Sequence, residues 1–220
     1  MTSFDVVARV RRVTGIKKTG HAGTLDPMAT GLLVVGVGKA TKLLGQGLTG
    51  GKTYEAVAQL GLTSPTHDRD SDKVLSVETI TFTRDQVESA LLRLASRTKQ
   101  IPPLVSALKV KGQPLHKVAR RGWWLPRDSR PLELEALNVL DYDAENASVR
   151  FTVSGGGGTY VRSLVRDLGT ELGVPAVLTE LRRVAAGPYK IEQCIPLDSL
   201  EQRWGEFTQS RGFPSDESTG

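Results

Sequence analysis

The sequence predicts an α+β fold in which a mixed, largely antiparallel sheet packs against flanking helices. Alternating apolar and polar residues at 52–60 indicate a strand with one buried face. Two further strand patterns, at 132–140 and 148–153, are joined by a short polar turn. Helical spacing of apolar residues follows Thr83 and Gly158. Because strands and helices do not alternate in a strict βαβ rhythm, we expect a mixed sheet rather than a parallel one.

Capping residues locate three helices. Ser3 is expected to cap a first helix that ends near Gly15. Thr83 forms a capping box with Gln86 ahead of a second helix, and a third follows the glycine run 155–158. Their buried stripes are expected to be Val6, Val7 and Val10 in the first, Val87, Ala90, Leu91, Leu94 and Ala95 in the second, and Val161, Leu164, Val165, Leu168 and Leu172 in the third.

Three other segments complete the predicted organisation. The apolar run 32–37, bounded by Gly31 and Gly38, predicts a strand buried on both faces. Residues 61–73 are rich in Asp, Ser, Thr and Pro and predict a polar loop. The polar segment 207–220 predicts a disordered tail.

The composition excludes several classes of protein. With 39% hydrophobic and 24% charged residues over 220 positions, the chain is globular rather than disordered. Its single cysteine, Cys194, cannot form an internal disulfide, and its three histidines are too widely spaced for a zinc motif. We therefore expect a reducing cytoplasmic compartment and no metal. No apolar run reaches the ~20 residues of a membrane span, and no signal peptide is expected.

Positive charge is concentrated in one segment. The net charge of the chain is +5, whereas residues 97–130 hold nine Lys or Arg against one acid, Asp128, which gives +8. Trp123 and Trp124 lie in the same segment. Cations neutralise phosphates and indole rings stack on bases, so the segment is suited to contact nucleic acid. A solvated helix face with two core tryptophans explains the same pattern equally well.

The loop 18–31 is a candidate for chemistry because it holds His21 and Asp26 between a predicted helix and a predicted strand. Pro27 biases Asp26 toward an extended backbone, which displays its carboxylate from a stiff turn. An ordinary turn, in which Asp26 caps the following peptide groups, explains the same residues, and the residues alone favour it.

Ordered motifs add a resemblance to a known family. The string KTGHAGTLDPMATGLLVVGVGKAT, with the core G-H-x-G-T-L-D-P, closely resembles the signature of the bacterial tRNA pseudouridine synthases of the TruB family. Later blocks resemble the family's further motifs in the family's order. These blocks are KTYEA at 52–56, IPPLVSALK at 101–109, GTYVRSLVRDLG at 158–169 and LRR at 181–183. The likeness extends from Met1 to about Leu200.

The resemblance implies a pseudouridine synthase-like catalytic domain that isomerises uridine to pseudouridine at position 55, in the T-loop of tRNA. It implies that Asp26 is the nucleophile, attacking either the uracil ring or the ribose C1′, and that Arg162 is its partner. The implied substrate-binding residues are Tyr54, which stacks on the flipped uracil, Tyr160 and Leu181, which line the same pocket, His21, which contacts the region left by the base, Asp68, which links to the arginine, and Lys109, in the RNA-clasping basic segment.

The implied reaction imports no group and changes no oxidation state, so no cofactor is expected. The expected partner is the T-arm of tRNA, with no membrane and no obligatory protein partner, and the chain is expected to be a monomer. Relatives usually carry a strand and a Lys-Pro-x-Gly turn before Met1 and an RNA-binding domain after Leu200. We therefore expect a catalytic domain over 1–200, a tail over 201–220 and a weaker grip on tRNA.

Two alternatives come from other classes. A catalytically weak tRNA-binding or tRNA-folding protein would retain the fold, and flexible Gly155, Gly156 and Gly157 beside the pocket favour such a loss of activity. A P-loop hydrolase is suggested by Gly50-Gly-Lys-Thr53, but Gln46 stands where the pattern requires glycine. The residues after Thr53 also alternate like a strand instead of opening a helix, so the P-loop interpretation is disfavoured.

Overall fold

A six-stranded sheet with helices on one face carries the part of the molecule that positions the site. The computed structural model describes residues 1–45, 50–69, 75–76, 81–103, 106, 109–110, 113–114 and 126–210, with the backbone alone at 76, 109–110 and 113–114. The helices are α1 (Ser3–Thr14), α2 (Arg84–Ala95), α3 (Val161–Leu172) and α4 (Leu200–Ser210), and 3₁₀ turns lie at Gly38–Gly45, Ile191–Gln193 and Leu197–Ser199.

The strands in chain order are β1 (Thr19–Ala22), β2 (Thr30–Gly31), β3 (Val34–Val37), β4 (Lys52–Leu60), β5 (Leu62–Thr63), β6 (Leu75–Ser76), β7 (Lys99–Gln100), β8 (Lys109–Val110), β9 (Gln113–Pro114), β10 (Arg130–Pro131), β11 (Leu134–Asp143), β12 (Ser148–Gly155), β13 (Ala176–Ala186) and β14 (Tyr189–Lys190).

The main sheet has the order β11-β12-β4-β13-β14, with every neighbour antiparallel. The short β2 joins it in parallel to β13, with Thr30 opposite Arg182. Tyr54 on β4 lies opposite Arg183 on β13, which brings a pocket aromatic and a basic residue side by side. The predicted mixed, largely antiparallel sheet is thus confirmed.

Helices α2 and α3 cover one face of this sheet and enclose the hydrophobic core. The alternation predicted for β4 is confirmed, because Tyr54, Ala56, Ala58 and Leu60 are all buried. The capping box of α2 is also present, and its predicted stripe is buried except for the partly buried Ala95. In α3 the stripe is buried except for the partly buried Leu172, and Gly173 ends the helix in the left-handed conformation. The core therefore holds the first turn of α3 against β4 and β13.

The first helix begins one residue earlier than predicted. Thr2, not Ser3, is the N-cap, since its hydroxyl accepts from the Asp5 amide and the Asp5 carboxylate accepts from the Thr2 amide. Ser3 is buried instead, and its Oγ accepts from the backbone N–H of Leu25 at 3.0 Å. Helix α1 therefore anchors the loop that carries Asp26.

The strand predicted at 32–37 is shorter and less buried than expected. Strand β3 covers only Val34–Val37 and pairs with β1 as a separate two-stranded unit. Gly36 is its one buried residue. The expectation of burial on both faces was wrong because this hairpin lies outside the main sheet.

The largest omission in the sequence-based prediction is β13, the strand between β4 and β14. Its polar residues Thr179, Glu180 and Arg182 interrupt the apolar pattern, and two register shifts break the alternation of faces. The predicted polar loop 61–73 begins with the short β5, and its residues 70–73 lie outside the described part. The strand predicted at 132–140 is present as β11 but begins two residues later and ends three residues later, and the strand predicted at 148–153 continues to Gly155 as β12.

The predicted tail begins later than expected. Helix α4 continues to Ser210, so residues 207–210 are helical, and 211–220 lie outside the described residues. Within the ranges that the structure describes, no helix combines the length and apolarity needed to cross a membrane.

Candidate active site

Asp26 is displayed from a loop that is fixed at both sides. On one side the Leu25 amide is bound to Ser3 of α1. On the other, the Ala29 N–H donates to the Asp26 carbonyl at 2.9 Å and closes a turn over Pro27. The Asp26 side chain is 35% exposed, so its carboxylate is accessible to a ligand while its backbone is held.

Arg162, in the first turn of α3, binds both oxygens of this carboxylate. Its Nε and Nη2 donate to Asp26 Oδ2 and Oδ1, each at 2.9 Å. The arginine is only 5% exposed. A bidentate guanidinium–carboxylate interaction fixes the plane of the carboxylate as well as its position, which a single hydrogen bond cannot do. The pair therefore presents Asp26 in one orientation.

Asp68 completes the cluster on the far side of the guanidinium. Its Oδ2 lies 3.4 Å from Arg162 Nη1, which also donates to the Thr66 carbonyl at 3.3 Å. The Thr66 hydroxyl donates to Asp68 Oδ1 at 2.7 Å. The Asp68 segment is fastened to β13, since the Leu178 N–H donates to the His67 carbonyl at 3.1 Å. The sheet thus orients Asp68, and Asp68 helps to orient Arg162.

A cavity of about 280 Å³ opens beside the Asp26 carboxylate. This volume is close to the lower end of the range for small-molecule sites, roughly 300–1,000 Å³. Its described lining consists of Gly23, Thr24, Leu25, Asp26, Lys52, Tyr54, Ser106, Gly156, Gly158, Thr159, Tyr160, Val161, Arg162, Leu181 and Arg183. Five predicted site residues therefore meet at one cavity: Asp26, Tyr54, Tyr160, Arg162 and Leu181.

Two tyrosines, the buried Tyr54 and the half-buried Tyr160, give this cavity its aromatic walls. Tyr54 is 9% exposed, on β4. The backbone of Tyr160 is clamped by buried Gln100, whose amide donates to the Tyr160 carbonyl at 3.1 Å and accepts from its N–H at 2.9 Å. Burial raises the pKa of the Tyr160 phenol, so the ring remains neutral at physiological pH. Sequence reasoning gave Gln100 no role.

The other predicted residues are His21, Lys109 and Asp68. Asp68 is not among the described lining residues and acts on the cavity through Arg162. His21 is half-buried on β1 opposite Val35, and it is not one of the described residues that line the cavity. The backbone of Lys109 forms β8, whereas its side chain lies outside the described residues.

The basic segment 97–130 is described only in part. Lys111, Lys117, Arg120 and Arg121, with Trp123 and Trp124, lie outside the described residues. Arg97 forms ion pairs with Asp167 and Glu171 of α3. Arg97, just after α2, is therefore paired with two acids of α3.

Sequence reasoning also missed two cations that line the cavity, Lys52 and Arg183. Both lie inside the quoted motifs but were given no role. For Arg183 the signal was its place on the inner face of a strand, two residues after buried Leu181. That signal was hidden because β13 itself was not predicted.

Comparison with known proteins identifies the family. A family model described as "TruB family pseudouridylate synthase (N terminal domain)" matches residues 11–161, which is more than half of the chain. The chain belongs to the TruB family. A second model, described as "tRNA pseudouridylate synthase B C-terminal domain", matches residues 162–211. The resemblance carried by the motifs is thus confirmed, and with it the membership in a family of isomerases. The division of this TruB-family chain into domains stays a prediction.

Curated TruB-family relatives match most of the chain. It is 43% identical over 202 residues to tRNA pseudouridine synthase B of Mycobacterium sp. (strain KMS), covering 91% of this chain and 68% of that protein. It is 41% identical over 215 residues to the protein of the same name from Geobacillus thermodenitrificans (strain NG80-2), covering 94% and 70%. These relatives are named as catalysts, and none of them favours the binding-protein alternative.

Solved structures share the fold. The chain matches one in a Cbf5-Nop10-Gar1 complex with a TM-score of 0.73 and 30% identity, covering 97% of this chain and 54% of that one. It matches one in an H/ACA RNP bound to a substrate RNA containing 2′-deoxyuridine with a TM-score of 0.66 and 27% identity, covering 98% and 53%. This TruB-family chain therefore spans about half the length of these solved chains, and the predicted pseudouridine synthase-like fold is confirmed.

Proposed function

We propose that this chain isomerises uridine to pseudouridine in tRNA, at position 55 of the T-loop, with Asp26 as the nucleophile. The observation that carries the proposal is the pair of hydrogen bonds from buried Arg162 to the Asp26 carboxylate. This pair lies at the wall of a cavity whose volume is close to the lower limit for small-molecule sites. Membership in the TruB family supports the same reaction. The cytoplasm is the proposed compartment, and a monomer that needs no protein partner is the proposed active form.

The target nucleotide is expected to flip out of the folded RNA, because the carboxylate lines a cavity and a base inside a stack cannot present its reacting atoms to such a site. Tyr54 would stack on the flipped uracil, while Tyr160 and Leu181 would bound it. Both tyrosines are held by the core or by Gln100, so little ordering is required of them when the base binds.

The reaction itself exchanges one bond for another. The C1′–N1 bond breaks, the uracil turns, and a C1′–C5 bond forms, after which C5 loses its proton and N1 gains one. Asp26 acts by adding to the ring or by attacking C1′, and both routes need its oxygen oriented toward the nucleotide. The Arg162 fork supplies that orientation. No electrons are exchanged with another molecule.

The loss of the C5 proton provides the test. With a T-arm stem-loop RNA carrying tritium at C5 of the target uridine, the chain is expected to release tritium to solvent in a single turnover. Asp26→Asn, which keeps the size of the side chain but removes the nucleophile, should bind the RNA and release none. Asp198→Asn, at a 96%-exposed aspartate, is the matched control and should behave as the parent.

Four results would each contradict part of the proposal. Tritium release by Asp26→Asn at the parental rate would remove the nucleophile assigned here. RNA binding without release by the parent chain would favour the tRNA-binding alternative. Release from uridines outside the T-loop with equal efficiency would contradict the assigned position. Sedimentation of the active chain at twice its monomer mass would contradict the proposed monomer.

A further inference from the structure

Arg183 is a buried cation whose hydrogen-bonding capacity is only partly used. It is 1% exposed, and its Nε donates to the Leu32 carbonyl at 2.8 Å. Its Nη1 and Nη2 are buried and have no hydrogen-bond partner among the described residues. Within the same described part, no acidic side chain lies within salt-bridge distance of it. A buried guanidinium with open donors is unfavourable unless a ligand completes it.

Lys52 adds a second positive charge to the same wall of the cavity. It is half-buried at the start of β4, and like Arg183 it lines the cavity beside Asp26. Burial lowers the pKa of its ammonium, and the charge of Arg183 lowers it further. No ion pair of Lys52 is found within the described ranges. The two cations thus repel each other in a partly desolvated place.

The space beside these two side chains is kept open by a glycine. Gly23 has a φ of +71°, and a Cβ built on it would lie 3.1 Å from Arg183 Nη1 and 3.3 Å from Lys52 Cε. A side chain at this position would enter the space that the two cationic groups face. A void lined by unneutralised donors and backed by a small residue has the chemistry of an anion site.

We propose that Lys52 and Arg183 form a phosphate subsite, which binds one of the two backbone phosphates flanking the nucleotide that enters the cavity. The inference rests on the proposed function, because it takes RNA to be the ligand. A guanidinium fork matches two phosphate oxygens, and a lysine adds a mobile point charge. Since Asp26 lines the same cavity, a phosphate held here would position the sugar of that nucleotide against the carboxylate.

The first experiment removes one cation and measures RNA affinity. In the Asp26→Asn background, Lys52→Gln should weaken binding of a T-arm stem-loop RNA by about tenfold, the usual effect of losing one charged hydrogen bond to a phosphate. Its melting temperature should equal or exceed that of the background, because a repelled and partly buried charge has been removed. Lys190→Gln, at an exposed lysine, is the matched control and should change neither. Unchanged affinity in Lys52→Gln would overturn the proposal.

The second experiment identifies the phosphate. Replacing one flanking phosphate by an uncharged methylphosphonate should weaken binding to the background protein, and the same replacement should have little further effect on Lys52→Gln. Each of the two flanking phosphates is replaced in turn. If each replacement weakens binding by the same factor in the background protein and in Lys52→Gln, the subsite holds neither phosphate and the proposal fails. Inorganic phosphate should compete with the intact RNA for binding to the background protein, and it should no longer compete for binding to Lys52→Gln. Competition by phosphate without any methylphosphonate effect would show a site for free anions and overturn the RNA assignment.

These measurements separate the subsite from the catalytic proposal. All of them follow binding to a chain that lacks the proposed nucleophile, so none depends on turnover. If the parent releases no tritium while Lys52 and one phosphate remain coupled, the proposed reaction fails and the subsite stands. If tritium is released but Lys52 and the phosphates are not coupled, the proposed reaction stands and the subsite fails.

Discussion

Two charged clusters lie on the same cavity and are built in opposite ways. In the first, the guanidinium of Arg162 lies between the carboxylates of Asp26 and Asp68 and also bonds the Thr66 carbonyl. In the second, Arg183 lies beside the cation Lys52, and two of its nitrogens have no partner among the described residues. One arginine is neutralised by the protein, and the other is left for a ligand.

Burial does not explain this difference, because both arginines are almost completely buried, at 5% and 1% exposure. The difference lies in what each must do. A carboxylate that attacks a substrate has to be held in one orientation before the substrate arrives, and a full set of partners achieves that. A group that binds a substrate phosphate has to keep its donors available. When two arginines are equally buried, the number of hydrogen-bond and ion-pair partners within the protein distinguishes the arginine that positions a residue from the arginine that binds a ligand.

The largest effect is expected when the neutralised cluster is broken. Arg162→Met leaves Asp26 and Asp68 facing each other without the cation between them. We expect a loss of about 3 kcal/mol in the free energy of unfolding, the lower end of the usual cost of breaking a buried pair because Asp26 is partly exposed. Tritium release should fall by at least about a hundredfold, since the carboxylate loses its fixed orientation. Urea unfolding and single-turnover assays measure the two effects.

Controls for this variant separate charge from orientation. Arg93→Met removes an exposed arginine that forms an ion pair with Glu171, and it should cost less than about 1 kcal/mol. Adding Asp68→Asn to Arg162→Met should recover part of the stability, because it removes one of the two facing carboxylates, without restoring activity. Recovery of activity by the second substitution would show that Arg162 acts by charge balance alone.

The sequence predicted the neutralised cluster far better than the open one. Asp26 and Arg162 lie in motifs that resemble those of the TruB family, and the start and periodicity of α3 place Arg162 in its first turn. The position of β13 could not be predicted in the same way, because its register shifts and polar residues arise from pairing with β4. Arg183 owes its burial to that pairing.

Other differences from the sequence-based prediction have the same origin in tertiary contacts. The buried hydroxyl of Ser3 binds the Leu25 amide, a contact 22 residues away in sequence, and the capping role passes to Thr2. Local patterns therefore predicted α2, β4 and the strand pair of β11 and β12, where each residue's role depends on its near neighbours. They failed where a distant strand or loop decides the role.

A smaller effect is expected from crowding the open cluster. Gly23→Ala forces an L-residue into a left-handed backbone conformation, which costs roughly 1 kcal/mol, and its Cβ presses on the movable ends of Arg183 and Lys52. Gly173→Ala is a matched control, since Gly173 has a φ of +75° with no atom within 4 Å of the added Cβ. Both variants should lose similar stability in urea unfolding, but only Gly23→Ala should bind RNA more weakly. Equal RNA affinities would show that the space beside the two cations is not used by the ligand.

The smallest effect concerns His67, which precedes Asp68 and shows how strongly the arginines act on their surroundings. Burial lowers the pKa of its imidazole, and Arg166, Arg127 and Arg162 lower it further against a weaker opposing effect of Asp167. The unfolded chain therefore takes up a proton near pH 6.5 while the folded chain does not, so the stability from the neutral ring is complete above pH 6.5 and declines as the pH falls below it. His67→Asn, which suits the φ of +58°, should unfold with a flatter dependence on pH between 7.5 and 5. Thermal unfolding of parent and variant across this range measures the pH dependence, and the difference between their melting temperatures at pH 7.5 is the baseline. Added salt should flatten the parent's profile only in part, because it screens the arginines but leaves the larger effect of burial unchanged. Parallel profiles of parent and variant at low salt would show that His67 does not carry this dependence.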